Sequence, residues 1–157
     1  MIKFSIPGFE ENLNIEHLLL DYNGSLAEDG KLLPSAKKML NELSNKIHVH
    51  VITADTFGIV KQELEDINLR IKIIQKGEEA PQKLEYLKEL GANSTICIGN
   101  GRNDVLMLQE AVIGIVVLNS EGTAIDALHA ADILCDNIKD AFDLVLNPMR
   151  MRATLRK

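Results

Sequence analysis

Cysteine is scarce in this 157-residue chain, with Cys97 and Cys135 the only two. Two thiols so far apart exclude a disulfide-stapled scaffold and a cysteine-rich zinc site, and they suit a reduced, cytoplasmic protein. Long apolar runs are missing as well, although 46% of the residues are hydrophobic. No stretch approaches the roughly 20 apolar residues a transmembrane helix needs, and residues 1–12 lack the apolar core of a signal peptide. Positive charge is also short: 17 Lys and Arg stand against 23 Asp and Glu, for a net charge of −6 and a pI of about 5.2. That balance argues against a nucleic-acid partner or an anionic membrane surface. The one basic concentration is "NPMRMRATLRK", residues 147–157, expected to be a solvated or partner-facing tail.

What is present is an alternation. Apolar segments of strand length occur at 2–6, 16–20, 48–53, 71–74, 95–99, 114–118 and 132–135, several of them rich in Val and Ile. Continuous apolar strands are those buried on both faces of a parallel sheet. Helical periods lie between them. Ala36, Met39, Leu40 and Leu43 follow Pro34; Leu84, Leu87 and Leu90 precede Gly91; further stripes run through Val105–Ala111, Ile125–Ala131 and Ile138–Val145. Another helix is expected after Asp55, with Asp55 as its cap. The pattern predicts one α/β domain over residues 1–157, a Rossmann-like three-layer sandwich around a mainly parallel sheet. The first strand, followed by Pro7-Gly8, is expected at an edge as a hairpin partner.

Ligands on such sheets bind beyond the carboxyl ends of the strands. There the sequence places "DYNGS" (21–25) after one strand, "TAD" (53–55) after another and "GNGRND" (99–104) after a third. If those strands are neighbours, Asp21, Thr53 and Asp104 share a crevice, with Lys83 reaching in from the helix beginning near Glu79. Asp21 and Asp104 suit a hard cation such as Mg²⁺, which takes carboxylates, water and phosphate oxygens. Gly24 permits a tight turn that aims amides at a phosphate. Thr53 can donate a hydroxyl and Lys83 a positive charge to phosphate oxygens. Asp21 can then attack a phosphoryl group.

These segments resemble the motifs of the haloacid dehalogenase superfamily. "DYNGSL" is similar to its Asp-x-Asp-Gly-Thr/Ser motif, "VITAD" to its second, "APQKLEYLKEL" to the third, which supplies a lysine, and "IGNGRNDVLML" to the fourth. Within the superfamily the sequence most resembles the phosphorylation domain of P-type ATPases, over about residues 15–135. The resemblance implies Mg²⁺-dependent phosphoryl transfer through an aspartyl phosphate on Asp21. It implies phosphate binding by Gly24, Ser25, Thr53, Ala54 and Lys83, and a metal shell from Asp21, the Asn23 carbonyl, Asn100 and Asp104. Only 27 residues separate Ser25 from Thr53, and 29 separate Thr53 from Lys83, leaving no room for the cap domain many relatives insert. A capless site calls for a large phosphorylated substrate that covers itself, or for a homo-oligomer.

Two amides depart from the pattern. Asn23 stands where related phosphatases carry an Asp that protonates the leaving group and activates water; an amide does neither, and such help is worth about 10²–10⁴ in rate. Asn100 replaces a metal-binding Asp of the ATPase pattern and lowers the site's negative charge. Three outcomes stay open: a slow phosphatase or phosphotransferase, a long-lived aspartyl phosphate that acts as a switch, or a binding protein without catalysis. Lys76 is the rival to Lys83, Arg102 is either surface charge or a gate, His48 and His50 are expected as packing or surface residues, and Cys97 as a core residue.

Overall fold

A computed structural model describes residues 1–9, 12–54 and 58–157. Asp55, expected as a helix cap, lies outside these residues. The framework is a six-stranded sheet in which every pairing is parallel. Its strands are β3 (His17–Asp21), β6 (His48–Thr53), β7 (Arg70–Ile73), β8 (Thr95–Gly99), β9 (Ile113–Val117) and β10 (Ile133–Cys135), in the spatial order β10-β9-β8-β3-β6-β7. β3 is therefore central, with β6 and β8 on either side, and the three strands expected to carry the chemistry are neighbours.

Alternation along the strands builds two cores. Leu18, Leu20, Val49, Val51, Ile96 and Ile98 face one side, where they meet α1 (Pro34–Ser44) and α6 (Ile138–Leu146). Leu19, Ile52, Cys97 and Val116 face the other, under α3 (Glu79–Leu90), α4 (Val105–Glu110) and α5 (Ile125–Ala130). Helix ends follow local chemistry. α1 opens on Pro34, whose missing N–H is no loss in a first turn. α6 opens on Asn137, whose Oδ1 accepts the Asp140 amide at 3.0 Å. α3 stops at Gly91. A short helix, α2 (Ile59–Glu63), follows β6.

The structure departs from the sequence reading in three places. The first strand, β1 (Ile2–Phe4), pairs antiparallel with β2 (Leu13–Ile15) in a sheet of its own, not at an edge of the large one. A second hairpin, β4 (Ala27–Glu28) with β5 (Lys31–Leu32), follows the Asp21 loop. Its two-residue turn, Asp29-Gly30, has left-handed backbone at both positions, the geometry a tight hairpin favours. The basic tail is helical: residues Pro148–Leu155 form α7, which buries Met151 and leaves Arg150, Arg156 and Lys157 exposed, and the Lys157 amide donates to the Pro7 carbonyl at 3.0 Å. Between Ser25 and Lys83 the described residues form only that small hairpin, α1, β6, α2, β7 and the start of α3, so no cap domain lies among them. No described helix is long and apolar enough to cross a membrane.

Candidate active site

Asp21 is the last residue of the central strand and Thr53 the last of β6; Asp21 lies in register with Ile52, so Thr53 stands one residue further along the neighbouring strand. β8 ends at Gly99, and a 3₁₀ turn over Arg102–Asp104 brings Asp104 back toward the strand ends. Asp21, Thr53, Lys83, Asn100 and Asp104 are all buried. The Lys83 ammonium lies 2.6 Å from Asp21 Oδ1 and 2.6 Å from Asp104 Oδ1. One cation thus joins two carboxylates that are 83 residues apart in sequence. Lys76, the alternative lysine, is exposed in the loop before α3.

The electrostatics follow from this burial. Desolvation, with the neighbouring Asp104 carboxylate, pushes the Asp21 carboxyl up to about 7 despite the opposing pull of Lys83. Burial disfavours the Lys83 ammonium, but Asp21 and Asp104 outweigh it and hold Lys83 above its ordinary range. Removing the lysine would leave two acids facing each other in a dry site.

Asp104 has both oxygens engaged. Oδ1 accepts from Lys83, and Oδ2 accepts the amides of Asn100 at 3.0 Å and Gly101 at 2.9 Å. Asp104 therefore shapes the 99–104 turn and anchors Lys83, while Oδ1, which accepts one bond, keeps a lone pair. Asn100 is held on both ends of its amide: Nδ2 donates to the Gly122 carbonyl at 3.0 Å and Oδ1 accepts from Ser25 Oγ at 3.3 Å.

The Asp21 loop turns on one carbonyl. Tyr22 O accepts the amides of Ser25, Leu26 and Ala27 at 3.3, 2.9 and 2.9 Å, and the Gly24 amide donates to Ala27 O at 3.0 Å. The amides of Gly24 and Ser25, expected to face a phosphate, are thus engaged inside the loop. Gly24 contributes shape: its φ is +78°, and a Cβ there would fall 2.5 Å from Asn100 Nδ2. Asn23 is exposed at the mouth, and Ala54, after Thr53, is half-buried. Arg102 is exposed and pairs with Asp126 at 2.9 Å, outside the buried cluster.

Sequence reasoning missed the rim. The β4–β5 hairpin is tied across the mouth to the loop after β9: Ser120 Oγ donates to Glu28, and the Asp29 amide donates to Glu121 Oε1 at 2.6 Å. The Asp-Gly pair at 29–30 was the available signal.

Mg²⁺ can be tested against these donors. An ionised Asp21, Asp104 Oδ1, the Asn23 main-chain carbonyl and Asn100 Oδ1 are hard oxygen donors of the kind Mg²⁺ uses beside water and phosphate. The set fits in donor chemistry, with two carboxylates beside two neutral oxygens. Among the described residues no three His, Cys, Asp or Glu side chains are grouped to hold a metal by themselves.

A parallel sheet whose central strand ends in an acid, with a hydroxyl at the neighbouring strand end and a lysine held between carboxylates, belongs to the α/β class that sets its polar chemistry beyond the carboxyl ends of the strands. The model of the haloacid dehalogenase-like hydrolase family matches residues 35–141, and the chain belongs to that family. The matched span begins after the Asp21 loop. A soluble P-type ATPase-like phosphatase of Methanocaldococcus jannaschii is 25% identical over 140 residues, covering 87% of this chain and 51% of that protein. The chain thus spans about half the length of that relative. An uncharacterised protein of the same organism is 42% identical over 84 residues, covering 51% of this chain and 90% of that one. Among solved structures, the 3-deoxy-D-manno-octulosonate 8-phosphate phosphatase of Moraxella catarrhalis, crystallised with magnesium, phosphate and its sugar acid, superposes with a TM-score of 0.71. It is 18% identical, and the match covers 90% of this chain and 94% of that one; at that identity the likeness concerns the fold.

Proposed function

We propose that the protein transfers or hydrolyses phosphoryl groups through Asp21, slowly and with Mg²⁺. The observation that carries this reading is the Lys83 ammonium set between Asp21 and Asp104 at the end of the central strand. An Asp21 oxygen attacks phosphorus, the bond from phosphorus to the leaving oxygen breaks, and an aspartyl phosphate forms. Lys83 and the Thr53 hydroxyl stabilise charge on the phosphoryl oxygens. Asp104 keeps Lys83 in place and takes no part in bond making. Mg²⁺, held by Asp21, Asp104, the Asn23 carbonyl and Asn100, would supply further charge neutralisation.

Asn23 sets the pace. It cannot protonate the departing oxygen, which takes its proton from water, and it cannot activate the water that later attacks phosphorus and returns Asp21 as a carboxylate. Good leaving groups, aryl and acyl phosphates, are therefore the expected substrates. The same observation supports a second reading, in which the aspartyl phosphate persists and acts as a switch for a binding partner.

Incubation with Mg²⁺ and 4-nitrophenyl phosphate, and in parallel acetyl phosphate, separates the two readings. Turnover lost in Asp21→Asn supports the enzyme. A single round of phosphorylation without turnover supports the switch. Turnover that survives Asp21→Asn removes the basis of both.

A further inference from the structure

At the opposite end of the sheet from Asp21, three polar rings form a hydrogen-bonded chain that the proposed chemistry does not use. His17 Nδ1 and His50 Nε2 are 3.1 Å apart, and His50 Nδ1 and the Tyr86 hydroxyl are 2.8 Å apart. Each ring belongs to an element that carries a site residue. His17 begins β3, which ends in Asp21; His50 lies on β6, which ends in Thr53; Tyr86 lies on α3, three residues after Lys83. His17, Leu19 and Asp21 alternate onto one face of β3, and His50 and Ile52 onto the same face of β6. Under α3 that face is therefore layered: the ring chain at the strand starts, then Leu19, Ile52, Leu87 and Cys97, then Asp21, Lys83 and Asp104.

We propose that the His17–His50–Tyr86 chain is a brace that fixes α3 against β3 and β6 and so holds Lys83 on Asp21. The proposal rests on the reading of Lys83 as the phosphate-stabilising group. From one stretch of α3, Tyr86 extends toward the strand starts and Lys83 toward the strand ends, so a slide or roll of the helix moves both. An apolar layer would fill this space but would let the helix settle at several positions; hydrogen bonds fix direction and distance. His50 is fully buried with both ring nitrogens bonded. Burial, with His17, Arg70 and His48 nearby, lowers its pKa to about 4 and keeps the ring neutral at pH 7, with one donor and one acceptor for its two partners. On the far side, the Lys72 ammonium of β7 sits 5.0 Å from the centre of the Tyr86 ring and holds the ring against the sheet edge. Misplacement of a catalytic group by about 1 Å can cost on the order of 10²-fold in rate, so a brace on Lys83 has a kinetic consequence.

The test is competitive acetylation of the whole protein with trace acetic anhydride, read by peptide mass spectrometry as Lys83 labelling relative to the exposed Lys76. It is run on wild type, Tyr86→Phe and His17→Leu, with Tm and 4-nitrophenyl phosphate kinetics alongside. Tyr86→Phe keeps the ring and removes only the hydroxyl; His17→Leu, with no polar atom on its side chain, cuts the chain at its other end. The expected result is a several-fold rise in relative Lys83 labelling in both variants with Tm little changed, and a fall in kcat of about tenfold with KM nearly constant. Relative labelling that stays at the wild-type level in both folded variants overturns the brace. Labelling needs no turnover, so the brace stands or falls on it even if the phosphoryl-transfer reading fails.

Discussion

Lys83 is the residue on which the site depends. Its ammonium is almost wholly buried and separates two acids that would otherwise repel each other without water to screen them. Removing one partner of a buried ionic group costs about 3–5 kcal/mol because the remaining charge is stranded. Lys83→Met is therefore expected to lower Tm by about 10 °C in a chain of this length, measured by calorimetry at pH 8; a shift of only a degree or two would mean the acids relax at little cost. Asn23 is the opposite case. It is exposed, so Asn23→Asp disturbs no packing and restores a titratable group at the mouth. Hydrolysis is expected to rise by about 10–10², read as kcat with 4-nitrophenyl phosphate; no gain would place the slow step elsewhere.

Among the elements, the loop between β3 and β4 is the least replaceable. Gly24 needs a left-handed backbone and also abuts the Asn100 side chain, whereas Gly30, at φ +77°, has nothing within 4 Å of a Cβ. Both alanine variants carry backbone strain of about 1 kcal/mol or more, but only Gly24→Ala displaces Asn100. The expected outcome is a larger loss of stability in Gly24→Ala than in Gly30→Ala, with turnover reduced by tenfold or more only in Gly24→Ala; equal activities would show that Asn100 is not part of the working site. Legibility varied by element. The strands at 48–53 and 95–99 matched their apolar runs because both faces are buried. β2 has three residues, too few to show a period. α7 was hidden by its charges, since among its residues only Met151 is buried. The meeting of Asp21 and Asp104, with Lys83 reaching in from α3, was legible from the order of strand ends and the helix between them. The bonding of Asp104 to the Asn100 and Gly101 amides was not, because it depends on how a turn folds back. Nor was the His17–His50–Tyr86 chain, which depends on the register between β3 and β6.

For the whole molecule, titration gives a test with opposed signs. His50, ordinarily 6.5, is lowered to about 4 on folding, first by burial. The unfolded chain binds that proton more tightly, so this contribution to stability is full above pH 6.5 and is lost as pH falls toward 4. Asp21, ordinarily 3.8, is raised to about 7, again first by burial. There the folded protein holds the proton more tightly, so stability falls as pH rises from about 4 to 7. In metal-free wild type the two slopes oppose each other between pH 5 and 6.5. In Asp21→Asn only the histidine slope remains. Tm of the variant is expected to rise more steeply than that of wild type over this range and to equal or exceed it at pH 8. Parallel curves would show that Asp21 titrates as an ordinary carboxylate.

The most direct measurement is the covalent state of Asp21 itself. Protein incubated with Mg²⁺ and acetyl phosphate, quenched in acid and reduced with borotritide, should carry tritium in the peptide containing Asp21, and the Asp21→Asn protein should carry none. Label on another residue, or no label from acyl and aryl phosphates alike while the fold is intact, would contradict the claim that this acid accepts a phosphoryl group.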